Sequence, residues 1–364
     1  MRVTKRAFNR RRPIHPMRPI QNNKLLMRSH QRGIDIYDIT LSMKKYILTL
    51  TIILSQFIVA FTQPVPAMDE NIPFLVTFGK DAGTKWGDDD YTQTFFFKIK
   101  KEFKEPIYLR VFDPDCVGMH DELNGAFNTM TKFSVYGGVG CITNQDATGT
   151  DPVGDFKSGN MLATKTFGQK DDYDNKWYTF GPFNPSEGEY SPRYGGYIFK
   201  VICEGIKGDD GNLYRYFMST HPEKNDAVEG GNAFTFEYTF RLHKEAYQTS
   251  HIYPYIDDKV ISVEQRNFDW DNDGYIKICS VATLGDEVAL SGDNTWSNSI
   301  YKIKDAERGK SLDIQFTKND RIQVNNNNVV FSIRNQYGEL LPFFVVPIGG
   351  VPKFQGNINV TKKK

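Results

Sequence analysis

From residue 74 onward the chain alternates apolar and polar residues with a period of two. The segments 95–100 and 107–112 are built from β-branched and aromatic residues and end in turn formers, as expected of strands. Segments 132–136, 177–182, 197–202 and 213–218 continue the series, and Asp210-Gly211 stands between two of them as a hairpin turn. Residues 234–242 alternate cleanly and read as a final, half-exposed strand. A second series follows at 259–263, 275–281, 299–303, 312–316, 329–333 and 343–346. The polar segment 243–250 between the two series is the candidate linker. No stretch keeps a helical apolar stripe beyond two turns. The pattern therefore predicts an all-β protein with two antiparallel β-sandwich domains, jelly-roll or immunoglobulin-like, at 70–245 and 250–352.

Ahead of the strands lies a segment of another kind. Met43 is followed by Lys44 and Lys45, an uncharged apolar run over 46–60, and small or turn-forming residues up to Met68. This is the anatomy of a secretory signal peptide, placed at 43–67, with Ala60, Thr62 and Ala67 as candidate residues before a cut. The run is shorter than the ~20 residues that span a bilayer, so no transmembrane segment is expected in the mature chain. Residues 1–42 are basic and unpatterned, with Arg10, Arg11 and Arg12 in a row. They read either as a nucleic-acid arm or as sequence upstream of a true start at Met43; the second is preferred, because a signal peptide works from the amino terminus. The last residues, 353–364, form a polar basic tail. Export to the periplasm, the cell surface or the medium is the resulting expectation.

Charge changes sign once that leader is set aside. Twelve of the 45 basic and two of the 44 acidic residues precede residue 62, leaving 33 and 42, a net charge of −9. Such a chain is not a polyanion binder, which argues against nucleic acid. It suits carboxylates arranged around cations. All four cysteines, Cys116, Cys141, Cys203 and Cys279, lie in the exported part. An exported chain with an even count permits two disulfides in any of three connectivities. Cys116 and Cys141 bracket one Gly-rich stretch and are the better candidate pair, while Cys203 sits in a strand-like run as a candidate buried thiol.

The sharpest chemical motif is Asp269-Trp270-Asp271-Asn272-Asp273-Gly274-Tyr275. Alternate carboxylates before a glycine let one tight loop aim several oxygens at a hard cation, with the Tyr275 carbonyl adding another. An EF-hand would need Glu at the twelfth position, where Ser280 stands, and the residues after Gly274 alternate as a strand. The expectation is a Ca2+ loop in a β context, completed by a distant acid such as Asp257, Asp258, Asp286 or Glu287. The alternative is an Asp-rich turn without an ion. A looser acidic set comprises Asp88, Asp89 and Asp90 before one strand and Asp113, Asp115, Asp121 and Glu122 after another. If those strands are neighbours, the set can share a second cation. Asp171, Asp172 and Asp174 read as a surface turn.

Catalytic motifs such as GxSxG, HExxH, a phosphate-binding loop or a dinucleotide fingerprint are absent from the sequence. A glycosidase-like carboxylate pair has no support from spacing. The expectation is therefore a non-enzyme, with aromatics such as Trp86, Trp177, Trp270 and Trp296 serving the core more than sugar stacking.

The stretch 95–112, its acidic turns and FSVYGG resemble jelly-roll modules attached to secreted bacterial proteins, including pre-peptidase C-terminal-like domains. GPFNPSEGEY followed by YIFKV is similar to the Pro-x-x-Gly-x-Tyr approach to a late strand in such modules, and the overall plan resembles exported envelope proteins of Bacteroidota. The resemblance covers about 74–242. It implies a non-catalytic binding or accessory role, often with calcium, and carries over no binding residue. The expected function is a calcium-stabilised binding or adhesion protein of the cell envelope, its partner an envelope protein or a glycan. Two alternatives are an accessory or catalytic part of a secreted glycan hydrolase and a structural surface component.

Overall fold

Three consecutive phenylalanines, Phe95, Phe96 and Phe97, show how the sheets are stacked. Successive side chains of a strand face opposite ways, yet all three rings are fully buried, so their strand, Thr92–Lys100, is covered on both faces. A computed structural model describes residues 64–83, 91–149, 156–320 and 327–356. Among these the regular structure is strand, with short 3-10 turns and no α-helix. The ladders between named strands are antiparallel. No helix among the described residues is long and apolar enough to cross a membrane. The expected all-β sandwich architecture is what the chain forms.

The central wall is an eight-stranded sheet. Its order is Trp296–Lys302, Ser262–Phe268, Asn328–Asn335, Glu237–Arg241, Phe74–Phe78, Gly211–Ser219, Ile107–Phe112 and Trp177–Phe183. Half of this wall packs on a seven-stranded sheet that contains Thr92–Lys100, Gly196–Lys207 and Met130–Gly137. Phe95 and Phe97 meet Tyr216 across that interface at ring separations of 5.7 and 5.8 Å, and Phe133 meets Tyr214 edge-on at 5.1 Å. The other half packs on a four-stranded sheet of Thr249–Ile252, Asp313–Lys318, Gly274–Cys279 and Asp286–Val288. There Phe316 touches Phe240 and Phe331, both nearly perpendicular. Phe96 lies on the outer side of the seven-stranded sheet, with Ile198, Phe234 and Phe344.

The boundary expected at 245–250 is crossed by strand pairing. Glu237–Arg241 pairs with Asn328–Asn335, and Asn232–Thr235 pairs with Phe343–Phe344, so the first series borrows strands from the second. One apolar cluster runs from Val65 to Val345 through both halves, and residues 59–364 form one compact unit. The single strand expected at 234–242 is two strands in different sheets. Thr235 marks the corner, its hydroxyl donating to the carbonyls of Thr94 and Glu237 at 2.7 Å each. The result is buried, not half-exposed.

Residues 1–42 and most of the expected signal segment lie outside the described residues, but its last part does not. Val65 exchanges two 2.8 Å backbone bonds with Tyr216, and Val65 and Ala67 are buried in the main cluster. The end of the expected signal at residue 67 is therefore corrected: 64–67 belong to the folded sandwich.

The expected Cys116–Cys141 disulfide is not formed; all four thiols are free. They pack in different surroundings. Cys116 is buried in the turn after Ile107–Phe112, in the eight-stranded sheet, whereas Cys141 packs with Tyr136, Phe156 and Ile202 on the seven-stranded one. Cys203 is a buried core thiol whose ionisation burial pushes up to about 12.

Candidate metal centre

The strand Ser262–Phe268 ends in a loop whose anchor is Trp270. That indole is buried against Phe316, 5.7 Å between rings. With it fixed, the flanking residues turn in the left-handed region, Asp269 at φ 56°, Asp271 at 48° and Asn272 at 56°. Asp and Asn tolerate this conformation better than most residues. Gly274 has a different job from the sharp turn expected of it. It lies outside the left-handed region, and a Cβ there would fall 2.1 Å from the Thr317 carbonyl oxygen, so its value is the close approach of two strands.

A second loop closes over the first. Ser262–Phe268 pairs with Trp296–Lys302, Phe268 opposite Trp296, which brings 289–295 back alongside. Ser291 Oγ accepts from the Trp270 amide at 3.0 Å, the Ser291 carbonyl accepts from the Asn272 amide at 2.9 Å, and Asp269 Oδ1 accepts from the Asn294 amide at 2.6 Å. Asp293 is thereby delivered beside Asp269 and Asp271. One carboxylate oxygen of each lies within 4.8 Å of the others. Asp269 is buried, Asp271 half-buried and Asp293 exposed.

Two like unit charges about 4 Å apart cost about 4 kcal/mol at an effective dielectric of 20, and less at exposed Asp293 where water screens them. Burial foremost, then the charges of Asp269, Asp293 and Asp273, hold the Asp271 carboxyl up at about 6, against the partial relief of Lys318. A divalent ion resolves that conflict, and an oxygen-only donor set on loops suits a hard cation.

The structure divides the sequence-read ligands. Asp269 and Asp271 meet; Asp273 turns inward to a buried ion pair with Lys318, whose Nζ also lies 3.5 Å from Asn327 Oδ1. Tyr275 sits within Gly274–Cys279, opposite Thr317 in the ladder. The acid that joins them is Asp293. Asp257 instead accepts from the Lys259 amide, and Asp286 accepts from Thr283 Oγ1. The signal that could have identified Asp293 is Ser291-Gly292-Asp293-Asn294, a turn directly before the strand that pairs with Ser262–Phe268.

In the first series Asp88, Asp89 and Asp90 lie outside the described residues. Asp115 Oδ2 accepts from the Tyr173 amide at 2.6 Å. Glu122 forms a buried ion pair with Arg241, and its backbone bridges Gly211. Asp113 is tied to the turn at 171–175, its Oδ1 accepting from the Asn175 amide at 3.0 Å, whereas Asp121 is tied to the strand Gly211–Ser219, its Oδ1 accepting from the Leu213 amide at 2.7 Å. Burial chiefly pushes Asp113 up to about 7 and Asp121 well above the carboxylate range. No protein-family model matches the chain, and no curated protein matches it.

Proposed function

We propose that the chain is an exported, Ca2+-stabilised β-sandwich protein that binds an envelope protein or a glycan at the cell surface or in the periplasm. The observation that carries the cation reading is the convergence of Asp269, Asp271 and Asp293 from two loops at one edge of the central sheet. The charged start, short apolar run and small residues of 43–62 support export. A groove of about 760 Å3 between loops of the two series, lined by Arg193, Tyr194, Asp257, Arg334 and Glu339 among others, offers the partner a mixed polar and aromatic surface. No observation favours the hydrolase or structural alternative over this reading.

Thermal unfolding of the full chain in chelator and in Ca2+ is the test. An ion held at ten to a hundred times its Kd adds roughly 1.4–2.7 kcal/mol, a rise of several degrees for a protein of this size. Asp271→Asn removes the rise. Equal melting temperatures with and without Ca2+ would show that the cluster is only an acidic turn. Saturable binding to a glycan panel or to envelope fractions, weakened by Tyr194→Ala, tests the groove.

A further inference from the structure

Trp296–Lys302 closes one end of the central sheet, and it differs from the other long edges. The opposite end of that sheet, Trp177–Phe183, is interrupted by Gly181-Pro182 and by a register shift against Ile107–Phe112. The outer strand of the seven-stranded sheet, Asn160–Phe167, carries a shift beside Val135 and the charge of Lys165. Bulges, prolines and lysines are the devices by which sheets keep their edges from adding strands. Trp296–Lys302 pairs with Ser262–Phe268 along its whole length without a shift. It contains no proline, and its single charge, Lys302, stands at one end.

The outward groups of this strand form a regular set. The Asp269 amide donates to the Thr295 carbonyl at 3.4 Å, and the Ile303 amide to the Ile261 carbonyl at 3.0 Å. Hydrogen-bonded pairs alternate along an antiparallel ladder. Residues 297, 299 and 301 therefore bond inward, and the amides and carbonyls of Trp296, Asn298, Ile300 and Lys302 point out of the sheet. These four residues are exposed, and among the described residues no group bonds to their backbones. Ile300 is 75% exposed although apolar, and it shares a face of the strand with Trp296. Tyr301, on the other face, is buried in the core.

We propose that Trp296–Lys302 pairs antiparallel with the same strand of a second copy, about a two-fold axis at Ser299. What selects a second copy over another partner is that the strand is complementary to itself. Centring on Ser299 uses its whole length and sets outward residue against outward residue. Asn298 faces Ile300 of the other copy, and Trp296 faces Lys302. Each such pair exchanges both amide–carbonyl bonds. The lone charge meets an aromatic ring in a cation–π contact, not a second lysine. Ile300 lies diagonally beside Ile300 and Trp296 of the other copy, a spacing that long and aromatic side chains bridge. The exposed apolar positions thus cover one another. Because the same edge serves both copies, the pairing is isologous and stops at two. This inference goes beyond the binding role proposed above and uses neither the cation cluster nor the groove.

Sedimentation equilibrium of the full chain in chelator, over about 1–500 μM, is the test, since one strand edge is a small interface of the weak class. A monomer–dimer equilibrium with no larger species is expected. Ile300→Lys sets two lysines diagonally across the axis and raises the dissociation constant about tenfold or more. At so exposed a position it leaves the melting temperature of the chain unchanged. Hydrogen exchange on wild type reads the register without a variant. The amides of residues 296, 298, 300 and 302 slow as concentration rises, while those of 297, 299 and 301 are slow throughout. A chain that stays monomeric across the range overturns the proposal, and so do open-ended polymers. A dimer that Ile300→Lys leaves intact, or whose four outward amides exchange as fast as in the monomer, overturns it as well.

Discussion

Lys318 is the residue on which the loop chemistry at Asp269 turns inward. It is almost fully buried and pairs with the Asp273 carboxylate, its one carboxylate ion pair among the described residues. Removing one member of such a pair leaves a buried charge, at a cost of about 3–5 kcal/mol. Lys318→Met should lose that much in urea unfolding, and adding Asp273→Asn should restore most of it. Glu70 is a different buried acid. Both its oxygens are within reach of the Tyr238 hydroxyl, at 3.2 and 3.3 Å, and Oε2 accepts from the Ala67 amide at 2.6 Å. Burial foremost raises its carboxyl from about 4.5 to about 8. The folded state therefore keeps a proton that the unfolded chain releases above about 4.5. Stability falls as pH climbs from about 4.5 to about 8 and levels beyond. Glu70→Gln keeps the neutral hydrogen bonds, so its stability relative to wild type should rise across that window. Parallel urea titrations of the two proteins would show it; a constant difference would contradict it.

At the scale of the element, close approach of backbones decides where substitution is tolerated. A Cβ at Gly205 would fall 1.8 Å from the Phe78 carbonyl oxygen, which belongs to the opposing sheet. Gly205→Ala must push the two sheets apart there and should cost roughly 1–3 kcal/mol or more by denaturant unfolding. Gly274→Ala meets the Thr317 carbonyl in the same way and, by displacing the loop at Asp271, should also weaken the proposed Ca2+ binding. Strand positions were legible because β-branched and aromatic alternation survives in most of them, as in 107–112 and 213–218. That Asp269 and Asp271 converge was legible from local spacing. Asp293 was not, because its place depends on Phe268 pairing with Trp296 across a long connection. Nor was the corner at Thr235, since a strand that changes sheets keeps its alternation while its neighbours change. The Cys116–Cys141 pairing failed for the same reason: closeness along the chain does not place two residues on one sheet.

For the whole molecule, the shared eight-stranded sheet makes the two strand series one cooperative body. Heat unfolding should give calorimetric and van't Hoff enthalpies that agree, and residues 64–245 expressed alone should fail to give a dispersed amide spectrum. The place of Val65 in the sandwich also restricts processing. If the proposed export involves cleavage at Ala60 or Thr62, the bridge to Tyr216 is kept, and amino-terminal sequencing should find Val65 retained. The pairing of Glu237–Arg241 with Asn328–Asn335 has a further consequence, in the order of events during synthesis. The central sheet cannot be completed until residue 335 has left the ribosome, some ninety positions after its partner strand. Until then Glu237–Arg241 presents a bare row of amides and carbonyls, the template on which chains add to one another. Long-range pairing of this kind is slow to form. The nascent chain therefore passes through a stage that needs shielding, and its risk of aggregation is set by the pace of elongation, not by the stability of the finished fold.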